Sequence, residues 1–253
     1  LPANSLPGRS GVTPVNFGAV WDIGKAAFTS YLAALRVSAA TYFDVAPSEF
    51  RVGLQPWLEP TTSQLTVRMF VADELENGAG YATELGKPEV LSKVISQMQT
   101  LGITAWEAPN HSSSCSASCQ DCLRSYDNRH SHHLLDWRLA LDMVELLSGQ
   151  SINWDRCLGV FTQVRESTEK ALDGNCRVSV DVSTGLNVIK NEKMERAVVI
   201  VHPLWPTSGD VHGRKQAIAK LNLEASGYTD VRFVNVVEVV RWPSVLMREL
   251  LIP

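Results

Sequence analysis

The sequence predicts a mixed α+β / α/β chain: a helix-and-strand module followed by a small α/β subdomain. Three observations carry this. Apolar residues recur at helical spacing over 21–43 and 132–149. They alternate at strand spacing over 49–57 and 64–75. Beyond residue 150 strands and helices follow one another in the order that builds a small layered sheet.

Taken in order, residues 1–20 are rich in Pro, Gly, Ser and Asn and read as a linker or extended arm. WDIGKAAFTSYLAALRVSAATYF (21–43) reads as a long helix. EFRVGLQPW (49–57) reads as a strand that Pro56 ends or confines to a sheet edge. QLTVRMFVADEL (64–75) is a second strand. NGAGY leads into helical sequence interrupted near Gly86-Lys87-Pro88.

Residues 107–131 lack periodicity and are too many for an idle connection, so something must fix their shape. HHLLDWRLALDMVELLSG (132–149) is an amphipathic helix stopped at Gly149. A boundary falls near 149–152, giving a module over 21–150 and a subdomain over 151–253. The latter holds a helix (154–172), strands at 176–182, 185–191 and 196–205, a helix at 212–226 and a strand at 230–240, with some parallel pairing.

The bulk numbers restrict function. The 253 residues are 45% hydrophobic and 20% charged, ample for a packed core, and the net charge of −4 supplies no global attraction to nucleic acid. No apolar run approaches the roughly 20 residues of a membrane span, so no membrane partner is expected. The chain opens on Leu1 without a basic-then-apolar leader and reads as the C-terminal piece of a larger cytoplasmic protein.

Three of the five cysteines and three of the six histidines fall within CSASCQDCLRSYDNRHSHH (115–133). The spacing C-x3-C-x2-C, with no secretion signal, favours a metal over a disulfide framework. Thiolates suit zinc, which takes four tetrahedral ligands in structural sites. Cys115, Cys119 and Cys122 give three, and the fourth comes from His111, His130, His132 or His133. A catalytic zinc needs an open position and a nearby base. Neither H-x-E…P-C-x2-C nor H-E-x-x-H occurs, so the metal is read as structural. Cys157 and Cys176 stand apart and read as core thiols.

The run CSASCQDCLRSYDNRHSHHLLDWRLALDMVELL resembles the zinc-binding MZB family, which takes its name from the bacterial helicase MrfA. A second element, VADELENGAGYATEL (71–85), is similar to the family's D-x-x-x-G-G-A-G-Y segment, with Asp73, Asn77, Gly78, Gly80 and Tyr81 in matching places. The resemblance covers about residues 20–150. It implies the C-terminal module of a superfamily 2 DNA helicase, or of a phage-defence protein of the DISARM or Druantia kind, contacting DNA and packing on helicase motor domains or defence-system subunits. It implies Cys115, Cys119 and Cys122 as zinc ligands. The family's fourth cysteine would fall near Asn128. Members with the SYDN…H…LD variant carry a histidine at the place of His132. His132 is therefore the expected fourth ligand, with His111 next and His130 third.

The nucleotide chemistry of such a motor is absent from this stretch: no G-x-x-x-x-G-K-[ST] occurs. Gly78 and Gly80 are expected to make a tight turn that offers a place for a DNA phosphate. Arg124, Tyr126 and Arg129, with Trp137 and Arg138 nearby, have the basic-aromatic make-up of a single-strand contact, though the favoured reading makes Tyr126 and Trp137 core and leaves the arginines solvated or paired with Asp121, Asp127 and Asp136. His202 and Trp205 lie beyond a strand end, and Asp181, Glu192, Lys193 and Glu195 are the acids and lysine from which a metal-dependent nuclease would have to be built. A noncatalytic accessory module is the favoured reading. A nuclease half and a protein-interaction scaffold are the alternatives.

Overall fold

Residues 21–58, 65–75, 78–172, 174, 176–207 and 213–251 are described by a computed structural model. The chain is α+β, and its described residues fall into two compact units that divide between Ile152 and Asn153.

The first unit is organised around helix α1 (Trp21–Phe43). Its residues are buried on most sides, including Ala26, Ala27, Phe28, Leu32, Ala34, Leu35, Ala39 and Ala40. A helix apolar all round belongs in the middle of a unit. The alanines let neighbours come close: α3, α5 and strand β1 all pack on it.

Strands β1 (Phe50–Leu58) and β2 (Leu65–Asp73) form an antiparallel pair with Phe50 opposite Asp73 and Gly53 opposite Phe70. Pro56 sits within β1, tolerated because a two-stranded sheet leaves that strand an open edge. Helix α2 (Tyr81–Leu85) follows, then α3 (Pro88–Leu101), which begins on Pro88 and buries Val90, Val94 and Met98 along one face. The break between them lies at Gly86-Lys87-Pro88, where a proline suits only a first helical turn.

A wide turn over Gly102–Trp106 extends α3 and buries Trp106. Gly102 is required there, since a Cβ would collide with Leu141 Cδ2. Leu141 belongs to α5 (Trp137–Leu147). This helix starts five residues later than its apolar pattern suggests. Asp136 is extended (φ −143°, ψ 120°) and its carboxylate accepts a hydrogen bond from the Arg138 amide, so the cap, not the first apolar residue, fixes the start. The end is as expected: Gly149 adopts φ 75° just past the last turn.

The second unit begins with α6 (Asp155–Ala171) and holds a four-stranded sheet in the order β3-β4-β5-β6. Strands β3 (Arg177–Val180), β4 (Asn187–Asn191) and β5 (Arg196–Val201) are antiparallel neighbours, while β6 (Asp230–Asn235) runs parallel to β5. The parallel step needs a crossover, supplied by α7 (Arg214–Ala225). Every residue of RAVVIV in β5 is buried, which explains its continuous apolar run. One expected strand is shorter than its pattern: VVEVV continues beyond β6 as helix α8 (Val236–Arg241) because Asn235 caps it, accepting from the Glu238 amide. A last helix, α9 (Ser244–Leu251), closes on β4 and β5. Asn191 donates to the Leu250 carbonyl and Arg232 pairs with Glu249 at 3.0 Å.

Candidate metal centre

The aperiodic stretch is built as a knuckle. Pro109 opens the short helix α4 (Pro109–Ser112), which carries His111. The His111 carbonyl accepts the Cys115 amide at 2.8 Å. The turn Cys119–Cys122 then closes on itself. The Cys119 carbonyl accepts the Cys122 and Arg124 amides, and the Cys119 amide points at Cys122 Sγ from 3.1 Å. Amides directed at a sulfur favour its thiolate form.

These turns bring four ligand atoms together. His111 Nε2 and the sulfurs of Cys115, Cys119 and Cys122 all lie within 4.8 Å of one another, a group that can hold a metal ion. The sulfurs of Cys115 and Cys122 are 3.9 Å apart, those of Cys119 and Cys122 3.7 Å, and Cys119 Sγ is 3.4 Å from His111 Nε2. A tetrahedral ion with sulfur bonds of about 2.3 Å and a nitrogen bond of about 2.0–2.1 Å puts its sulfurs about 3.8 Å apart and its nitrogen about 3.6 Å from each. These three separations lie within a few tenths of an ångström of those figures. They are too long for disulfides, and none of the five cysteines forms one.

The imidazole is oriented from behind. His111 Nδ1 lies 2.8 Å from the Trp106 carbonyl oxygen, so that nitrogen carries the proton and Nε2 presents its lone pair to the sulfurs. Trp137 packs edge-on against the same ring at 5.7 Å between centroids. The Cys115 and Cys122 side chains are buried. Burial pushes the Cys115 thiol far above its ordinary range, with the charges of Cys122 and Cys119 adding to the rise. Burial raises Cys122 as well, against the opposing pull of the Cys119 and Leu123 amides. Such thiols stay protonated on their own, and a bound cation reverses that preference.

The knuckle is stitched to the start of α5. Trp137 donates its indole N–H to the Cys115 carbonyl at 3.2 Å and its amide to the Ala117 carbonyl at 2.9 Å. Arg138 donates to the Ser116 carbonyl at 2.7 Å. From α1, buried Ser30 accepts the Asp136 amide at 2.8 Å. Ligands, loop and the two central helices therefore form one connected set.

The remaining expectations divide. His132 does not join the sulfurs. Its Nε2 faces two acceptors, the Ser125 carbonyl and Asn128 Oδ1, each at 2.9 Å, which tie the ring to the 125–128 turn, and it is not part of the group that His111 forms with the three cysteines. His111 takes the place expected of His132. Asn128, at the family's fourth-cysteine position, braces the loop: Oδ1 accepts the Ser125 amide and Nδ2 donates to the Leu123 carbonyl. His130 is exposed and lines a cavity of about 600 Å³ between α1, β1 and residues 127–135.

Gly78 and Gly80 do not make a phosphate cradle. Asp73 already accepts the Gly80 and Ala82 amides, at 2.9 and 2.7 Å, and its carboxylate would repel an anion. Gly80 adopts φ 79° and a Cβ on Gly78 would press on Asp73, so both glycines serve this turn. Asn77 lies outside the described residues. Tyr126 is 78% exposed, with the Arg129 guanidinium 4.4 Å over its ring, while Arg124 is held by Ser118 at 2.9 Å. Trp137 and Arg138 are buried in the stitching described above.

In the second unit His202 and Trp205 are both buried, and His202 Nδ1 accepts the Leu204 amide. Cys157 and Cys176 are buried and outside any disulfide. Asp181 is committed to the β3–β4 turn, accepting from Thr184, Ser183 and Asn222. Among the described residues no metal-holding group includes Asp181, Glu192 or Glu195.

The sequence carried no signal for the parts that orient the site. The Trp106 carbonyl, Ser30 and the Trp137–Arg138 ties act through backbone groups or across long separations. His111 was legible only as one of several nearby histidines.

The chain is similar to Druantia protein DruE of Escherichia coli (strain UMEA 4076-1), at 31% identity over 115 residues. That covers 44% of this chain but only 6% of the relative's length. No protein-family model matches the chain. No solved structure matches it.

Proposed function

We propose that the chain is a zinc-stabilised, noncatalytic module of a larger ATP-dependent DNA helicase or translocase in antiphage defence. One observation carries the metal half of this reading: three cysteine sulfurs and one oriented imidazole nitrogen lie within 4.8 Å of one another, three of their separations close to those around a tetrahedral ion. The donor set selects zinc over harder cations. His111, Cys115, Cys119 and Cys122 would hold it. With four protein donors no position is left for a reacting water, so the ion supplies cross-linking and not Lewis-acid chemistry.

The module half rests on the MZB-like motifs and on the likeness to part of Druantia protein DruE. The missing phosphate loop fits a stretch that rides on a motor located elsewhere in the parent. Its work there is to support DNA engagement or to fix the arrangement of neighbouring domains.

Two experiments test the reading. Purified chain should contain about one zinc, and Cys119→Ser/Cys122→Ser should lose it together with cooperative unfolding. A zinc-free chain of undiminished stability contradicts the metal half. In cells carrying the whole parent protein, the same double variant should abolish protection against phage infection. Unchanged protection, or cleavage of DNA by the isolated chain with magnesium or manganese, contradicts the module half.

A further inference from the structure

The β1–β2 hairpin has two unlike faces. Alternation along paired strands puts Phe50, Val52, Leu54, Val67, Met69 and Val71 on the side where Phe50 and Val67 are buried and β1 packs on α1. The opposite side carries Arg51, Gly53, Gln55 and Trp57 from β1, facing Ala72, Phe70 and Arg68 from β2. Arg51, Gln55, Arg68 and Phe70 are exposed.

This open face is organised. The Arg68 guanidinium lies 3.4 Å from the centroid of the Trp57 ring, a close cation–π stack. One pleat further along, the Phe70 ring lies across Gly53, where a Cβ would come within 2.5 Å of the ring and push it aside. Phe70 nevertheless remains 42% exposed, with its other face outward.

Its charge is one-sided. No carboxylate stands on this side among the described residues of the two strands. Neither arginine has an acidic partner within 4 Å among the described residues. In a chain of net charge −4, a face with two arginines, an aromatic stack and no acid is unlike the remainder of the composition.

We propose that this open hairpin face binds single-stranded nucleic acid, with bases stacked on Phe70 and on the Arg68–Trp57 pair and a phosphate on Arg51. The inference deepens the proposed function and rests on its DNA-engaging role. Arg68 and Phe70 are two residues, roughly 6.8 Å, apart along β2, and Trp57 lies further along, level with Thr66, so the two platforms take different bases. Aromatic rings and guanidinium planes stack on any base, and an arginine beside them neutralises the backbone, which is the chemistry of sequence-tolerant single-strand grooves. Duplex DNA hides its base faces and gains nothing from these platforms.

Fluorescence anisotropy of a labelled oligothymidine with the zinc-loaded chain, over a salt series, is the test. Phe70→Ala and Arg68→Ala should each weaken binding about tenfold. Arg51→Ala should also lower the slope of log affinity against log salt by about 0.7, the share of one phosphate on a single strand, while Phe70→Ala leaves the slope unchanged. All three side chains are exposed, so thermal melting and zinc content should match wild type. If wild type binds and all three variants bind equally well, the hairpin assignment is wrong while the DNA-engaging module survives. If wild type does not bind at low salt, both are wrong. Equal binding of duplex and single strand, insensitive to Phe70→Ala, also overturns the stacking proposal.

Discussion

The two units solve the same problem by different means. In the second, the central strands sit in a fully apolar interior: Val188, Ile189 and all of β5 from Ala197 to Val201 are at most 1% exposed. In the first, some 25 residues between α4 and α5 have few apolar side chains and are held by sulfur, imidazole and hydrogen bonds to carbonyls. A segment of Ser, Asn, Asp and Arg cannot bury enough apolar surface to offset the entropy of ordering it. On the proposed reading, a cross-link from an ion held by His111 and the three cysteines replaces that missing core. The difference teaches where each unit is vulnerable: one to chelation and acid, the other to loss of methylene groups.

The largest expected effect breaks the first unit chemically. Removing the ion with a strong chelator, or introducing Cys119→Ser/Cys122→Ser, forfeits binding energy of about 10–16 kcal/mol for structural zinc. Amide hydrogen exchange should then accelerate across residues 109–135 and the start of α5, while β4 and β5 keep their protection. Acid should act the same way. The ligands bind only when deprotonated, so affinity falls as pH falls, and zinc release followed by a chromogenic chelator should rise steadily on acidification.

The matching blow to the second unit is Ile189→Ala. This side chain is fully buried, and truncation should cost about 2–5 kcal/mol in denaturant unfolding without changing zinc content. Gly102→Ala tests the close approach of the α3 extension to α5. The added methyl meets Leu141, and overpacking should cost about 1–3 kcal/mol.

A sharper comparison lies within the loop itself. His111→Ala should weaken zinc binding strongly, whereas His132→Ala removes only the hydrogen bonds to Ser125 and Asn128 and should leave stoichiometry intact. Equal loss of zinc in both would contradict the assignment. The smallest effect is in the β3–β4 turn. Burial pushes the Asp181 carboxyl up, but hydrogen bonds from Thr184, Asn222 and Ser183 outweigh it and hold the group at about 2, below its ordinary 3.8. A depressed pKa adds stability above the ordinary value, and that stability is lost as pH falls through the folded one. Asp181→Asn should therefore flatten a slight decline in stability between about pH 4 and pH 2.

Much of this was legible in the sequence because burial leaves periodicity. Helix α1 is found where its pattern lies, β5 reads as one apolar run, and the proline that opens α3 marks its first turn. The starts of α5 and α8 were misread because apolar residues continue past the point where Asp136 or Asn235 caps the helix. The cysteines were legible because chelation constrains their spacing. The fourth partner was not, since several histidines fit the spacing equally well. What decides between them is which ring the folded loop brings to the sulfurs, His111 with the Trp106 carbonyl behind it rather than His132 tied to Ser125 and Asn128, and that placement leaves no mark on a sequence.

X-ray absorption at the zinc edge tests the central claim most directly. The wild-type chain should show three sulfurs at about 2.3 Å and one imidazole nitrogen at about 2.0–2.1 Å, and His111→Ala should lose the nitrogen shell. Purified chain without zinc, or a nitrogen shell that persists in His111→Ala and vanishes in His132→Ala, would contradict it.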